Sequence, residues 1–229
     1  MPAAAPIVIL FALPDESGAL RGLVRVESIA GRGVELTVRG WVGEARVIVA
    51  HTGVGAAAAA RRTAQIIAAE RPRLIVSAGF AGGLHAAAKL GAVVFDARGS
   101  GMAAPAGSLA GGIVSEGAVV ESAAAKAELG ARSGALAVDM ETAAIAGAAQ
   151  ESGVRVVALR VISDPVDADM PVPMRVWFDV ERQRPRVMGL LAWLARHPGR
   201  VWPFARFVRG LGPAKIALAR ALGELVRGV

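Results

Sequence analysis

Residues 7–12 are uninterrupted apolar positions and predict a first strand. Leu13-Pro14-Asp15-Glu16 ends it, since Pro favours a bend and supplies no ladder donor. Residues 34–38 and 45–50 predict two further strands. The second runs through His51-Thr52-Gly53-Val54-Gly55, a glycine turn, into a helix over 56–70 that Arg71-Pro72-Arg73 breaks. A buried strand over 74–77, a second glycine turn over 78–84 and a short strand over 91–95 follow. Residues 97–112, rich in Gly, Ala, Ser and Pro, read as an irregular loop and a candidate lid. After a strand at 113–115, a small helix around 122–129 and a strand at 135–138, an Ala-rich helix over 141–152 stops at Gly153. Residues 154–162 are almost wholly apolar, as a central strand should be, and deliver Ser163-Asp164. Beyond Pro173 the pattern changes to short helices, including 187–195 and 214–226, with no internal repeat and no heptads. Alternating strands and helices predict an α/β fold, read as a main domain over 1–170 and a helical extension over 171–229 packed on it.

Composition narrows the chemistry. A chain of 229 residues suits one α/β domain with a substantial core. With no Cys there is no disulfide framework, thiol nucleophile or Cys-ligated zinc, which fits a reducing cytoplasm. His51, His85 and His197 are scattered without an i, i+4 pair, so no metal site is expected. No Gly-x-Ser-x-Gly elbow points to a nucleophile triad. Residues 1–14 are too short for a membrane span and lack the positive start of a secretory signal.

The net charge of +7 is unevenly placed: residues 171–229 hold 11 Lys and Arg against 3 Asp and Glu, and the remainder is near neutral. Such a tail suits an anionic membrane, nucleic acid or plain solvent. Trp177, Phe178, Trp193, Trp202, Phe204 and Phe207 are interspersed with Arg, as in a segment lying at lipid headgroups; ordinary packing on the core is the rival reading.

Candidate acids sit where elements change. Asp139, Glu141 and Asp164 lie at strand and helix boundaries, the places where open α/β sheets build sites, although Asp also caps turns and Glu suits a helix N-terminus. Asp15 and Glu16 follow the first strand. Gly79, Gly82, Gly83 and Asp96 fail as a dinucleotide fingerprint because residues 84–90 are too few for a crossover, and neither glycine turn ends as a P-loop does.

Three segments carry a resemblance. Gly-Phe-Ala-Gly-Gly-Leu at 79–84, Val-Asp-Met-Glu-Thr-Ala-Ala-Ile-Ala at 138–146 and Arg-Val-Ile-Ser-Asp at 160–164 resemble the motifs of the purine nucleoside phosphorylase and methylthioadenosine/adenosylhomocysteine nucleosidase superfamily, in the same order over about residues 6–167. The Arg- and Trp-bearing end, including Trp193-Leu194-Ala195-Arg196-His197-Pro198, is similar to the hopanoid-associated branch, which removes adenine from adenosylhopane.

The resemblance implies a three-layer α/β/α fold with a mixed central sheet and cleavage of an N-ribosidic bond without a cofactor. Asp164 would deliver or stabilise a proton at purine N7, with Ser163 orienting it. Glu141 would bind the ribose hydroxyls, and Met140 would pack on the sugar. Glu16 would activate water, with Asp15 as fallback. Phe80, Ala81 and Gly82 would line the sugar site, Ala81 and Gly82 offering amides to sugar or phosphate. The glycine-and-arginine motif of phosphorylases is absent after the first strand, where Asp15-Glu16 would repel phosphate. Arg160 and the turn at 53–55 still form a candidate anion cradle, so water and phosphate, a possible co-substrate, both stand as acceptors. No Phe occupies 118–120, where relatives stack an aromatic on the base; Val119 or Val120 would substitute. The shortened stretch between Asp96 and Asp139 would open the ribose 5′ side to a bulky lipid.

Expected partners are an adenosyl nucleoside, lipid-linked in the narrower branch, an inner membrane face touched by the C-terminal segment, and further copies of the chain in a homo-oligomer. Nucleic acid is not expected, because no base-reading motif accompanies the basic tail. Methylthioadenosine/adenosylhomocysteine or futalosine nucleosidase activity, and a non-catalytic nucleoside- or lipid-binding role, are the alternatives.

Overall fold

The computed structural model describes residues 4–229, the side chain of Arg21 apart. In chain order the strands and helices are β1 (Ile7–Phe11), β2 (Arg25–Ala30), β3 (Thr37–Val42), β4 (Ala45–His51), α1 (Ala56–Glu70), β5 (Leu74–Gly83), β6 (Val93–Asp96), β7 (Leu109–Ala110), β8 (Ile113–Ser115), α2 (Ala123–Ser133), β9 (Ala137–Asp139), α3 (Thr142–Glu151), β10 (Arg155–Asp164), α4 (Met174–Trp177), β11 (Phe178–Asp179), β12 (Arg184–Pro185), α5 (Val187–Arg196) and α6 (Val201–Arg227). One mixed sheet runs β2-β3-β4-β1-β5-β10-β6-β7, with β8 and β9 joined at the end of β5. Its centre, β4-β1-β5-β10, is parallel, so these strands release the chain at one edge.

Period-two alternation explains the layers. Ile7, Ile9 and Phe11 enter a core with Leu218, Leu222 and Val226 of α6, whereas Val8 and Leu10 meet Ala59 and Ile66 of α1 and Ile145 of α3. A strand covered on both faces needs apolar residues at every position, hence the continuous run in β1. The sheet lies between α1 with α3 and α6, a three-layer α/β/α arrangement with a mixed centre.

Several elements depart from the sequence expectation. Residues 25–30 form a strand although all six are exposed, so no buried apolar face marked it; pairing with β3 makes it. Residues 33–35 are a 3-10 turn, and the strand begins at Thr37. The expected glycine turn over 78–84 is largely strand, because β5 pairs with β10 through Gly82 and with β9 at Gly82 and Gly83. The short helices expected after 200 are one helix that continues through Pro213. Pro removes one helical hydrogen bond there, and burial of Ala214, Leu218, Ala221 and Leu222 on the sheet offsets that loss.

Candidate active site

The C-terminal ends of β1, β5 and β10 converge with β9 on a cavity of about 550 Å³. Around it stand Glu16, Phe80, Ala81, Gly82, Val119, Met140, Glu141, Ser163 and Asp164, nine of the ten expected site residues. The tenth, Arg160, is not among the lining residues: it lies behind the cavity wall and is 1% exposed.

At one end β10 breaks register between Ile162 and Asp164 and presents two polar side chains. Ser163 Oγ donates to Asp164 Oδ1 at 2.7 Å, with the Ala81 carbonyl at 3.3 Å as its other acceptor. Lys126 Nζ, fully buried on α2, donates to Asp164 Oδ2 at 2.8 Å. Burial pushes the Asp164 carboxyl above its ordinary range, against the opposing pull of Lys126. Lys126 went unseen in the sequence because one Lys in an Ala-rich helix reads as a solvent-facing residue.

At the other end three carboxylates surround one guanidinium. Arg160 pairs with Asp139 at 2.5 Å, bonds Ser77 Oγ and Thr142 Oγ1 at 3.0 Å each, and stands 4.0 Å from Glu141. Burial opposes ionisation of Asp139, but Arg160 with donors from Ser115 and Thr142 holds its carboxyl below the usual range. Asp139 is therefore an ionised brace.

Glu141 Oε1 accepts the Gly55 amide at 2.8 Å. Burial raises its carboxyl to about 7; Arg160 opposes the rise, and Asp139 and Glu16 add to it. Part of Glu16 faces the cavity, yet protein encloses its carboxylate, which accepts the amides of Leu13 at 2.9 Å and Phe80 at 3.0 Å. Burial raises Glu16 as well, against Arg160. Asp15, the fallback base, is exposed and bonded to Lys215 of α6.

The close quarters explain Gly79. A Cβ there would lie 2.5 Å from Arg160 Nη1 and 2.8 Å from Glu16 Oε1, so only glycine lets both side chains pass. His51 supports the Glu16 loop. The Leu36 carbonyl, 2.8 Å away, fixes its proton on Nδ1, leaving Nε2 to accept from Ser17 Oγ at 2.9 Å. Burial lowers the His51 pKa and favours this neutral form.

The remaining wall is apolar and includes Val34, Met174, Trp177, Phe207 and Leu211, so α6 contributes to the site directly. Gln183, in a left-handed conformation, straps the β11–β12 turn to the cavity rim. Its amide accepts from Val54 N at 2.7 Å and donates to Val54 O at 2.9 Å.

The cavity thus has one raised carboxyl at one end and two at the other, at the C-terminal edge of the central strands. The family model described as Phosphorylase superfamily matches residues 6–95 and 106–192, and the chain belongs to that family.

Solved structures of the same fold align along nearly the whole chain. Futalosine hydrolase of Helicobacter pylori is 20% identical with a TM-score of 0.70, covering 98% of each chain. The 5′-methylthioadenosine/S-adenosylhomocysteine nucleosidase of the same organism, solved with an inhibitor, is 20% identical with a TM-score of 0.71, over 99% of this chain and 100% of that one. Its Neisseria meningitidis counterpart, bound to methylthio-immucillin-A, is 20% identical with a TM-score of 0.71, over 98% and 100%. No curated protein matches the chain in sequence.

Proposed function

We propose that this enzyme hydrolyses the N-ribosidic bond of adenosylhopane, or a closely similar adenosyl compound with a large apolar 5′ substituent, and releases adenine. The carrying observation is one cavity with Asp164 at one end, Glu16 and Glu141 at the other, and an apolar wall beyond them. Cleavage leaves positive charge on the sugar and negative charge on the base, so both ends need help. Asp164 gives its proton to N7 as the C1′–N9 electron pair moves onto the purine. Glu141 receives the ribose hydroxyls, Met140 covers the sugar, and Glu16 takes the proton of the water that attacks C1′. Glu16, Asp139 and Glu141 outnumber Arg160 in charge, and Arg160 is already engaged; such a cluster repels phosphate and accepts neutral water.

Val34, Met174, Trp177, Phe207 and Leu211 supply an apolar lodging for the 5′ group. The test incubates the protein with adenosylhopane, methylthioadenosine and futalosine, with and without phosphate, and identifies base and sugar by mass. Adenine and a free ribosyl product, fastest from adenosylhopane and indifferent to phosphate, are expected. A ribose 1-phosphate product would sink hydrolysis; faster methylthioadenosine turnover would sink the lipid substrate in favour of the activity named for two of the aligned structures.

The same reading includes contact with an anionic lipid surface. Residues 182–223 contain nine Lys and Arg and no Asp or Glu. On α5 and the start of α6, Val187, Met188, Leu191 and Trp202 are exposed, and Arg209 lies over the Trp202 ring at 5.5 Å. Among the described residues no helix is long and apolar enough to cross a membrane, so the surface would lie on the bilayer, adding about 1 kcal/mol per basic residue near it. Phe207 and Leu211, on the same helix as Trp202, line the cavity and bring it beside that surface. The protein is expected to float with phosphatidylglycerol-containing vesicles at low salt and to lose this with Met188→Glu/Trp202→Glu. Absence of flotation at low salt would end the membrane claim.

A further inference from the structure

Lys126 is a fully buried lysine, and such side chains are rarely found inside unless paired. Its three ammonium hydrogens go to three oxygens of one short segment: Asp164 Oδ2 at 2.8 Å, the Pro165 carbonyl at 2.7 Å and the Ala168 carbonyl at 2.5 Å. The start of α2 is tied to the same segment, since Asp169 Oδ1 accepts the Ala123 amide at 2.8 Å and Glu121 O accepts the Met170 amide at 2.7 Å. This double attachment places the ammonium beside Asp164 without giving it a share of the cavity wall.

We propose that Lys126 is the positioning residue of the leaving-base end: it fixes the Asp164 carboxyl and supplies the counter-charge for the carboxylate that remains once the proton has moved to the purine. The inference rests on the nucleosidase reading above. When Asp164 gives its proton to N7, the C1′–N9 pair leaves with the base, neutral adenine forms, and a buried carboxylate is left. Lys126 keeps its own three protons and neutralises that carboxylate; water attacks C1′, Glu16 takes the water's proton and releases it to solvent, and solvent returns one to Asp164.

Among the described residues Lys126 is the one charged side chain facing Asp164. Ser163 donates from its own strand and Gly82 approaches from β5. In the following loop Asp167 is exposed and Asp169 turns to the Ala123 amide. Glu16, Asp139 and Glu141 gather with Arg160 at the ribose end.

Lys126→Met removes the counter-charge and leaves the cavity wall intact. Its kcat is expected to fall about 100-fold, within the range for loss of an acid's function, with KM little changed. The alkaline limb of the kcat–pH profile should move up by about one unit or more, because Asp164 loses the charge that favours its ionised form. A structural brace alone would lower the amount of folded enzyme and leave that limb in place. Should Lys126→Met not fold, nitrogen NMR of lysine-labelled wild-type protein decides. Lys126 is expected as a slowly exchanging ammonium whose shift follows the titration of Asp164, the latter identified by its loss in Asp164→Asn. A neutral amine, or a shift indifferent to Asp164, overturns the proposal. So does a folded Lys126→Met with wild-type turnover and limb, adenine release being intact. No adenine from any adenosyl substrate, with folded wild-type protein, sinks the nucleosidase reading and Lys126's role with it.

Discussion

Replacing Asp164 by Asn is expected to slow adenine release by about 10²- to 10⁴-fold, the contribution general acids make when positioned at a leaving group. Asn keeps the size of the side chain and still accepts from Ser163, now at 2.7 Å from the carboxyl, but it has no acidic proton to give. Adenine must then depart as an anion inside an apolar cavity, the costliest place for it. Because Lys126 loses its carboxylate partner, the variant should also be less stable, and adding Lys126→Met should recover part of that stability. Absorbance change on adenine release gives the rate, and circular dichroism checks the fold. Turnover within a few-fold of wild type would remove Asp164 from the acid role.

Glu16→Gln is expected to lose about 10²- to 10⁴-fold in turnover, since the amide cannot take a proton from water. The Leu13 and Phe80 amides each hold one carboxylate oxygen, and Gln, with a single oxygen, leaves one of them without its acceptor. In the proposed reaction Glu16 and Glu141 act in their ionised forms, and burial raises both, Glu141 to about 7. Lowering the pH through about 7 therefore protonates the residue proposed to hold the ribose, and kcat/KM should fall on the acid side. Rates measured from pH 5 to 9 at low substrate test this. A profile that climbs steadily on acidification would contradict both assignments.

Much of the framework is legible locally. The helix Ala56–Glu70 lies between a glycine turn and Arg-Pro-Arg, so its start and stop are written in backbone chemistry. Strand β10 is apolar from Val156 to Ile162 except at Arg160, because sheet neighbours and helices cover both faces. The strand of residues 25–30 was invisible, since an exposed edge held by pairing to β3 needs no apolar alternation.

The glycine segment shows where local reading misleads. Gly79, Gly82 and Gly83 look like a turn, but their missing side chains serve close packing: Arg160 and Glu16 pass Gly79, and the Ala88 carbonyl would lie 2.6 Å from a Cβ at Gly83. Arg160 illustrates the same limit. Its motif made it a candidate anion ligand, whereas three neighbouring carboxylates turn it into the charge that lets them share one site.

By itself the sequence determined an α/β chain, where most of its central strands lie and the acids at their ends, because periodicity, turn chemistry and motif spacing act over a few residues. Tertiary structure alone decided which acids meet, that Lys126 stands behind Asp164 across 38 residues of chain, and that α6 closes the apolar end of the cavity. Those outcomes depend on which faces are buried together and which charges are left to neutralise one another, and neither is encoded in any one segment.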